Sequence, residues 1–172
     1  DQYRDPATKG ESYYKEALER DPNFAPALIA LGEAKLRNAF YSEALEYLLR
    51  AEKVLTRFNT RLENGKLYYL LGHVYLALDE QEKSYDYFRK AALDELLKKK
   101  IPVQLVGEGW EKYQTPYERY RTIEKPVTFD LSFEKIAREQ IMLDVSPIFN
   151  RGVHDRAIAG MANRTVVLTD SN

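Results

Sequence analysis

The chain has 172 residues, 44% of them hydrophobic, and 26 basic side chains against 27 acidic ones. That is enough apolar content for a packed core and no cationic excess for a phosphate backbone. There is no cysteine and only two histidines, His73 and His154, which excludes disulfides and thiolate metal sites and makes a zinc cluster improbable. No apolar run approaches the roughly 18 residues of a spanning helix and no signal-peptide pattern opens the chain. A cytoplasmic protein is expected, with no membrane span, no nucleic-acid partner, no cofactor and no metal.

The first hundred residues repeat. "ALIALGEAKLRNAFYSEALEYLLRAEKVL" superimposes on "KLYYLLGHVYLALDEQEKSYDYFRKAALD" at one offset of 40 residues. Leu31-Gly32 falls on Leu71-Gly72, Ala44 on Ser84, Leu48 on Phe88 and Ala51 on Ala91. Upstream, Tyr14, Ala17 and Pro22 in "YYKEALERDP" give the same closing pattern. The residue types suit close packing of antiparallel helices: Gly32 and Gly72 permit approach, Ala51 and Ala91 fit a tight crossing, and Leu48 and Phe88 fill the space beside them. Pro22 stands where a helix should stop.

On these residues the segment from about 8 to 95 resembles the tetratricopeptide repeat (TPR) family. The family's positions fall on Leu71, Gly72, Tyr75, Ser84, Phe88 and Ala91, with Pro22 closing an initial half-repeat. Lys35 stands where Tyr is usual, and "TRFNTRLENG", Thr56–Gly65, lengthens one connection beyond the family period of about 34 residues. The resemblance implies one second helix followed by two full helical pairs, with a concave face that holds a peptide or protein partner. Helical register places Glu33, Arg37, Tyr69 and His73 on that face, where each taken singly also fits an ordinary surface residue. The family's carboxylate-clamping Asn/Lys set is not visible, and His73 reads more readily as a packed residue than as a ligand. Two pairs are short of the roughly three repeats needed for independent stability, so something must cover the exposed ends.

After Lys100 the periodicity changes. "IPVQLVG" reads as a strand that ends in Gly, and Gly107-Glu108-Gly109 as a turn where backbone approaches a ligand closely. "KPVTFD" is a short extended piece. "LSFEKIAREQ" is a helix, with Ser132 as its N-cap and Phe133, Ile136 and Ala137 on one face. "IMLDVSP" is a second strand, "HDRAIAGMAN" a helix and "TVVLTD" a last strand. Such alternation predicts a parallel sheet of about three strands with ligand chemistry at their carboxyl ends. Gly107, Gly109 and Trp110 follow the first strand there, Gly152, His154, Asp155 and Arg156 follow the second, and Asp170 and Ser171 follow the third. The helix start at Gly152–Val153 suits a phosphate, and His154 and Arg156 would add charge-assisted donors. Alternatively Asp155 complements the helix dipole, Arg156 pairs with it or with Glu139, and Trp110 belongs to the core.

The ordered set "VGEGW", "DVSPIF", "GVHDR" and "VVLTD" resembles the donor half of GT-B glycosyltransferases, nearest to the spore-maturation-like branch of group 1. The likeness covers about residues 93–172. It implies a nucleotide-diphosphate sugar as donor substrate, bound by Gly107, Gly109, Trp110, Gly152, His154, Asp155, Arg156, Asp170 and Ser171. Arg164 stands where the family has Gly before the last strand, and Ala159 where many members place a ribose-holding acid. The donor half lacks its opening strand and the family's first domain, so this chain by itself is expected to have no robust transferase activity. The sequence reads as pieces of a larger transferase.

The expected architecture is therefore an α-helical TPR solenoid over residues 1–95, followed over 96–172 by a small, incomplete α/β (Rossmann-like) parallel-sheet segment, a partial GT-B donor domain. The alternative is a non-catalytic TPR interaction scaffold whose α/β segment is a degenerate cap.

Overall fold

Three residues, Asn38–Phe40, join α2 (Ala25–Arg37) to α3 (Tyr41–Phe58), and a turn of the same kind joins α4 (Gly65–Ala77) to α5 (Gln81–Lys98), with α1 (Pro6–Arg20) preceding both pairs. These elements come from a computed structural model, which describes residues 6–58, 64–113, 115–144, 160–162 and 164–169. Connections this short force each pair into an antiparallel helical hairpin. Both turns are built alike. Ala39 (φ 61°) and Asp79 (φ 60°) take the left-handed conformation, and their neighbours close the helix end. Phe40 N–H donates to the Lys35 carbonyl and Glu80 N–H to the Tyr75 carbonyl, both at 2.9 Å. This is the Schellman arrangement. It recurs at Lys100 (φ 62°), which ends α5, and at Arg164 (φ 60°), which ends the helical turn 160–162. Arg164 thus keeps the turn for which glycine was expected.

Inside each hairpin the glycine is opposed by a large side chain. A Cβ placed on Gly32 would lie 2.6 Å from Leu48 Cδ2, and one on Gly72 would lie 2.8 Å from Phe88 Cδ1. Buried Ser84 donates its hydroxyl to the Gly72 carbonyl at 2.9 Å, tying α5 to α4. Leu28, Leu48, Leu55, Leu67, Leu71 and Val74 form the core between the hairpins. α2 also packs directly on α4.

A second core joins the hairpins to the segment after Lys100. Tyr68 of α4 and Leu93 and Leu97 of α5 are buried together with Leu105 and Tyr113, and Trp110, Tyr117 and Tyr120 pack against them half-buried. Leu105 belongs to β1 (Val103–Val106), which pairs in parallel with β2 (Arg121–Glu124), Leu105 standing opposite Ile123. The far side of α5 is therefore covered by β1 and the residues that lead to β2. Asp94, 1% exposed, locks this junction: its carboxylate accepts the Gly65 N–H (2.9 Å) at the start of α4 and the Tyr113 hydroxyl (3.2 Å). Burial and the Asp94 charge push the Tyr113 hydroxyl well above its ordinary pKa.

The strands differ from expectation in number and grouping. β2 is an addition to the expected strands, because Arg-Thr-Ile-Glu holds a single apolar residue. Gly107–Tyr120 bridges β1 to β2 with two short 3-10 turns, Trp110–Lys112 and Glu118–Tyr120. Arg121, its side chain 8% exposed, holds that bridge by donating to the carbonyls of Tyr113 (2.6 Å) and Trp110 (3.3 Å). α6 (Phe129–Arg138) begins after Thr128, so Ser132 lies within the helix and is not its N-cap. β3 (Ile141–Asp144) pairs in parallel with β4 (Val166–Thr169). Among the described residues, the parallel strands form two separate pairs and not the single three-stranded sheet expected.

Candidate functional site

Of the four residues expected on one face of the hairpins, two form a pair on α2 and two a pair on α4. Glu33 and Arg37 are one turn apart on α2 and form an ion pair. Tyr69 and His73 are one turn apart on α4, with ring centroids 4.4 Å apart and edge to face. The bridge between the helices is a residue that the sequence pattern alone did not single out, Lys66, whose ammonium lies 2.6 Å from Glu33. Its signal was present: 66, 69 and 73 follow the i, i+3, i+7 spacing of one helical face. Phe88 of α5 backs the site, its ring 5.1 Å from His73 and 6.1 Å from Tyr69.

The chemistry of this face is mixed. The Lys66 hydrogen bond, followed by the charges of Lys66 and Arg37, holds the Glu33 carboxyl below the usual range against the opposing effect of its own partial burial. One carboxylate between two exposed cations leaves an excess of positive charge. His73 is pushed below its ordinary value by burial and is neutral at pH 7. Tyr69 remains 52% exposed, so an aromatic surface stands beside the cations. That combination suits hydrogen bonds to a backbone, an acidic side chain, and an apolar one laid against the ring.

Residues 65–92 match the family model described as tetratricopeptide repeat. This segment of the chain is similar to a tetratricopeptide repeat. The matched segment takes in α4 and the first part of α5, so Lys66, Tyr69, His73 and Phe88 all lie within it. The Gly72–Phe88 contact and the Ser84 hydrogen bond lie within it as well. No curated protein and no solved structure matches the chain.

The second expected site is described only in part. Gly107 (φ 138°) and Gly109 (φ 87°) make the turn after β1 in conformations that favour glycine. The Gly107 N–H continues the strand ladder to the Glu124 carbonyl at 3.1 Å. Trp110 packs half-buried against the second core. Gly152, His154, Asp155, Arg156, Asp170 and Ser171 lie outside the described residues. Among the described residues no cluster of three or more acidic or imidazole side chains could hold a metal, and no helix is long and apolar enough to cross a membrane.

Proposed function

We propose that the chain is a protein-interaction module in which the α2–α4 face, as the inner side of a repeat stack, receives a segment of a protein partner. The observation that carries this reading is the Lys66–Glu33 bridge, which joins two helices into one surface with Tyr69 and Arg37 exposed on it. The tetratricopeptide match supports a protein partner in general terms, and the charge excess favours a segment with an acidic residue next to an apolar or aromatic one. The test is selection from a displayed library of random 12-residue peptides. Tyr69→Ala and Lys66→Glu should each weaken the selected peptides by about tenfold or more, while Lys112→Glu, in the bridge between β1 and β2, leaves them unchanged. Selected peptides indifferent to both groove substitutions would overturn the reading.

A second reading attaches to the segment after Lys100. Parallel strands with a glycine turn at the carboxyl end of β1 suit a ligand crevice, which supports descent from a nucleotide-sugar-binding donor domain of the glycosyltransferase kind. Under this reading Gly107 and Gly109 bring backbone close to the donor, and His154 and Arg156 offset diphosphate charge. The check is thermal stability with uridine, guanosine and thymidine diphosphates. A bound diphosphate at 100 times its dissociation constant stabilises by about 2.7 kcal/mol, and Arg156→Ala should abolish the shift. No shift at millimolar concentration leaves the segment as a cover for α5 alone.

A further inference from the structure

Two cations converge on the α2–α4 face, and an acid of the chain itself stands between them. The Arg37 guanidinium donates to Glu33 Oε1 one turn away on α2, and the Lys66 ammonium of α4 lies 2.6 Å from Glu33 Oε2. Each carboxylate oxygen thus faces one cation, so the spacing of the two cations suits a carboxylate. That spacing exists only because α4 packs on α2. The side chains of Arg37 and Lys66 are 75% and 62% exposed, whereas that of Glu33 is 22% exposed. The cations reach solvent while the acid stays rooted between them. Tyr69, itself exposed, follows Lys66 by one turn of α4.

We infer that Glu33 is the specificity-determining residue of this face, an internal stand-in for the partner's carboxylate that limits how much acid the face accepts. The inference rests on the α2–α4 face being the partner site. Exposed ion pairs hold weakly, so a partner's carboxylate can draw either cation outward. A guanidinium has five N–H donors and an ammonium three, so each cation can also hold Glu33 and a second carboxylate together. In both cases the incoming acid comes within about 5 Å of Glu33 and is repelled by it. Two cations less one carboxylate leave a single positive charge, which one acidic residue balances. The face therefore takes a segment with one acid beside its apolar residue and discriminates against a segment with two. A basic segment is a poorer fit, because both oxygens of Glu33 already face cations of the chain.

The experiment selects 12-residue peptides from one displayed random library on the full chain and, in parallel, on its Glu33→Gln variant, then measures synthetic peptides against both. Glutamine keeps the length and shape of Glu33 and removes its charge. Acidic peptides selected on the wild-type chain should bind Glu33→Gln roughly three- to tenfold more tightly, the effect of removing one unit charge at about 5 Å in a solvent-like dielectric. The gain should vanish when the peptide's acid is replaced by its amide and shrink in about 1 M salt. Glu33→Asp, which keeps the charge, should show no gain. Peptides selected on Glu33→Gln should carry two acids where those selected on the wild-type chain carry one. Equal or weaker binding of acidic peptides by Glu33→Gln, or an equal gain for the amide peptide, would overturn the inference. The reading of the face as the partner site then still stands if Lys66→Glu and Tyr69→Ala weaken binding. Peptides indifferent to those two substitutions, or no peptide selected on either chain, would overturn that reading and this inference together.

Discussion

Substituting alanine for glycine is expected to have opposite signs at two positions of this chain. At Gly32, in the middle of α2, alanine gains about 1 kcal/mol of helix propensity. Its Cβ, however, would lie 2.6 Å from both Cγ and Cδ2 of Leu48, with the Ala44 carbonyl at 3.4 Å. Leu48 is fully buried, so it has no free space to swing into, and the hairpin itself must open. Overpacking of a filled core costs about 1–3 kcal/mol, and an overlap this deep against a trapped side chain belongs in the upper half of that range. The net expectation for Gly32→Ala is a loss of about 1–2 kcal/mol. Gly10→Ala meets nothing within 4 Å and should retain the propensity gain, a stabilisation of about 0.5–1 kcal/mol. Urea unfolding followed by circular dichroism measures both. In a chain of this size the loss corresponds to a fall of roughly 2–8 °C in melting temperature. If Gly32→Ala proves as stable as wild type, or if Leu48→Ala in the same chain fails to relieve the loss, glycine does not set the approach of the two helices.

Asp94→Ala removes the acceptor for both the Gly65 N–H and the Tyr113 hydroxyl in a buried setting. It should cost about 3 kcal/mol, whereas Tyr113→Phe, which leaves the Gly65 bond intact, should cost about 1 kcal/mol; urea unfolding separates them. Ala39→Gly relieves a left-handed conformation worth roughly 1–2 kcal/mol, part of which the greater unfolded-state freedom of glycine offsets. A gain of about 0.5–1 kcal/mol by the same assay is expected, and a loss would contradict the strain argument. Stability should also depend on acid in two separable windows. Burial depresses His73 from 6.5, so as pH falls below that value the unfolded chain takes up a proton that the folded chain refuses, and stability is lost. Glu33 is depressed from 4.5, chiefly by Lys66, and its contribution is present above that pH and lost as pH falls through the folded value. Unfolding measured from pH 7.5 to 5.5 should flatten in His73→Gln, and the slope below pH 4.5 should diminish in Glu33→Gln.

The hairpins and their interior were legible in the order of residues along the chain. Gly32 with Gly72, Leu48 with Phe88, and Ala44 with Ser84 were visible as a 40-residue repeat, and Gly32 meets Leu48 and Gly72 meets Phe88 because one short turn brings the helices of each hairpin together. Local periodicity and turn chemistry then suffice to place them. Helical register likewise put Glu33 with Arg37, and Tyr69 with His73, on shared faces. Register within a helix says nothing of a neighbouring helix, so Lys66 as the bridge to Glu33 came only with the packing of α4 on α2. The same limit hid the second core. Nothing near Trp110, Tyr113 or Arg121 in the chain announces Asp94, Leu97 or Tyr68 as neighbours, and β2 carries too few apolar residues to be read as a strand until β1 lies beside it. Contacts that depend on the path of the chain between distant segments are set by the total burial those segments achieve together. The cover of α5 by β1 and its bridge to β2 emerges only once the segments are packed together.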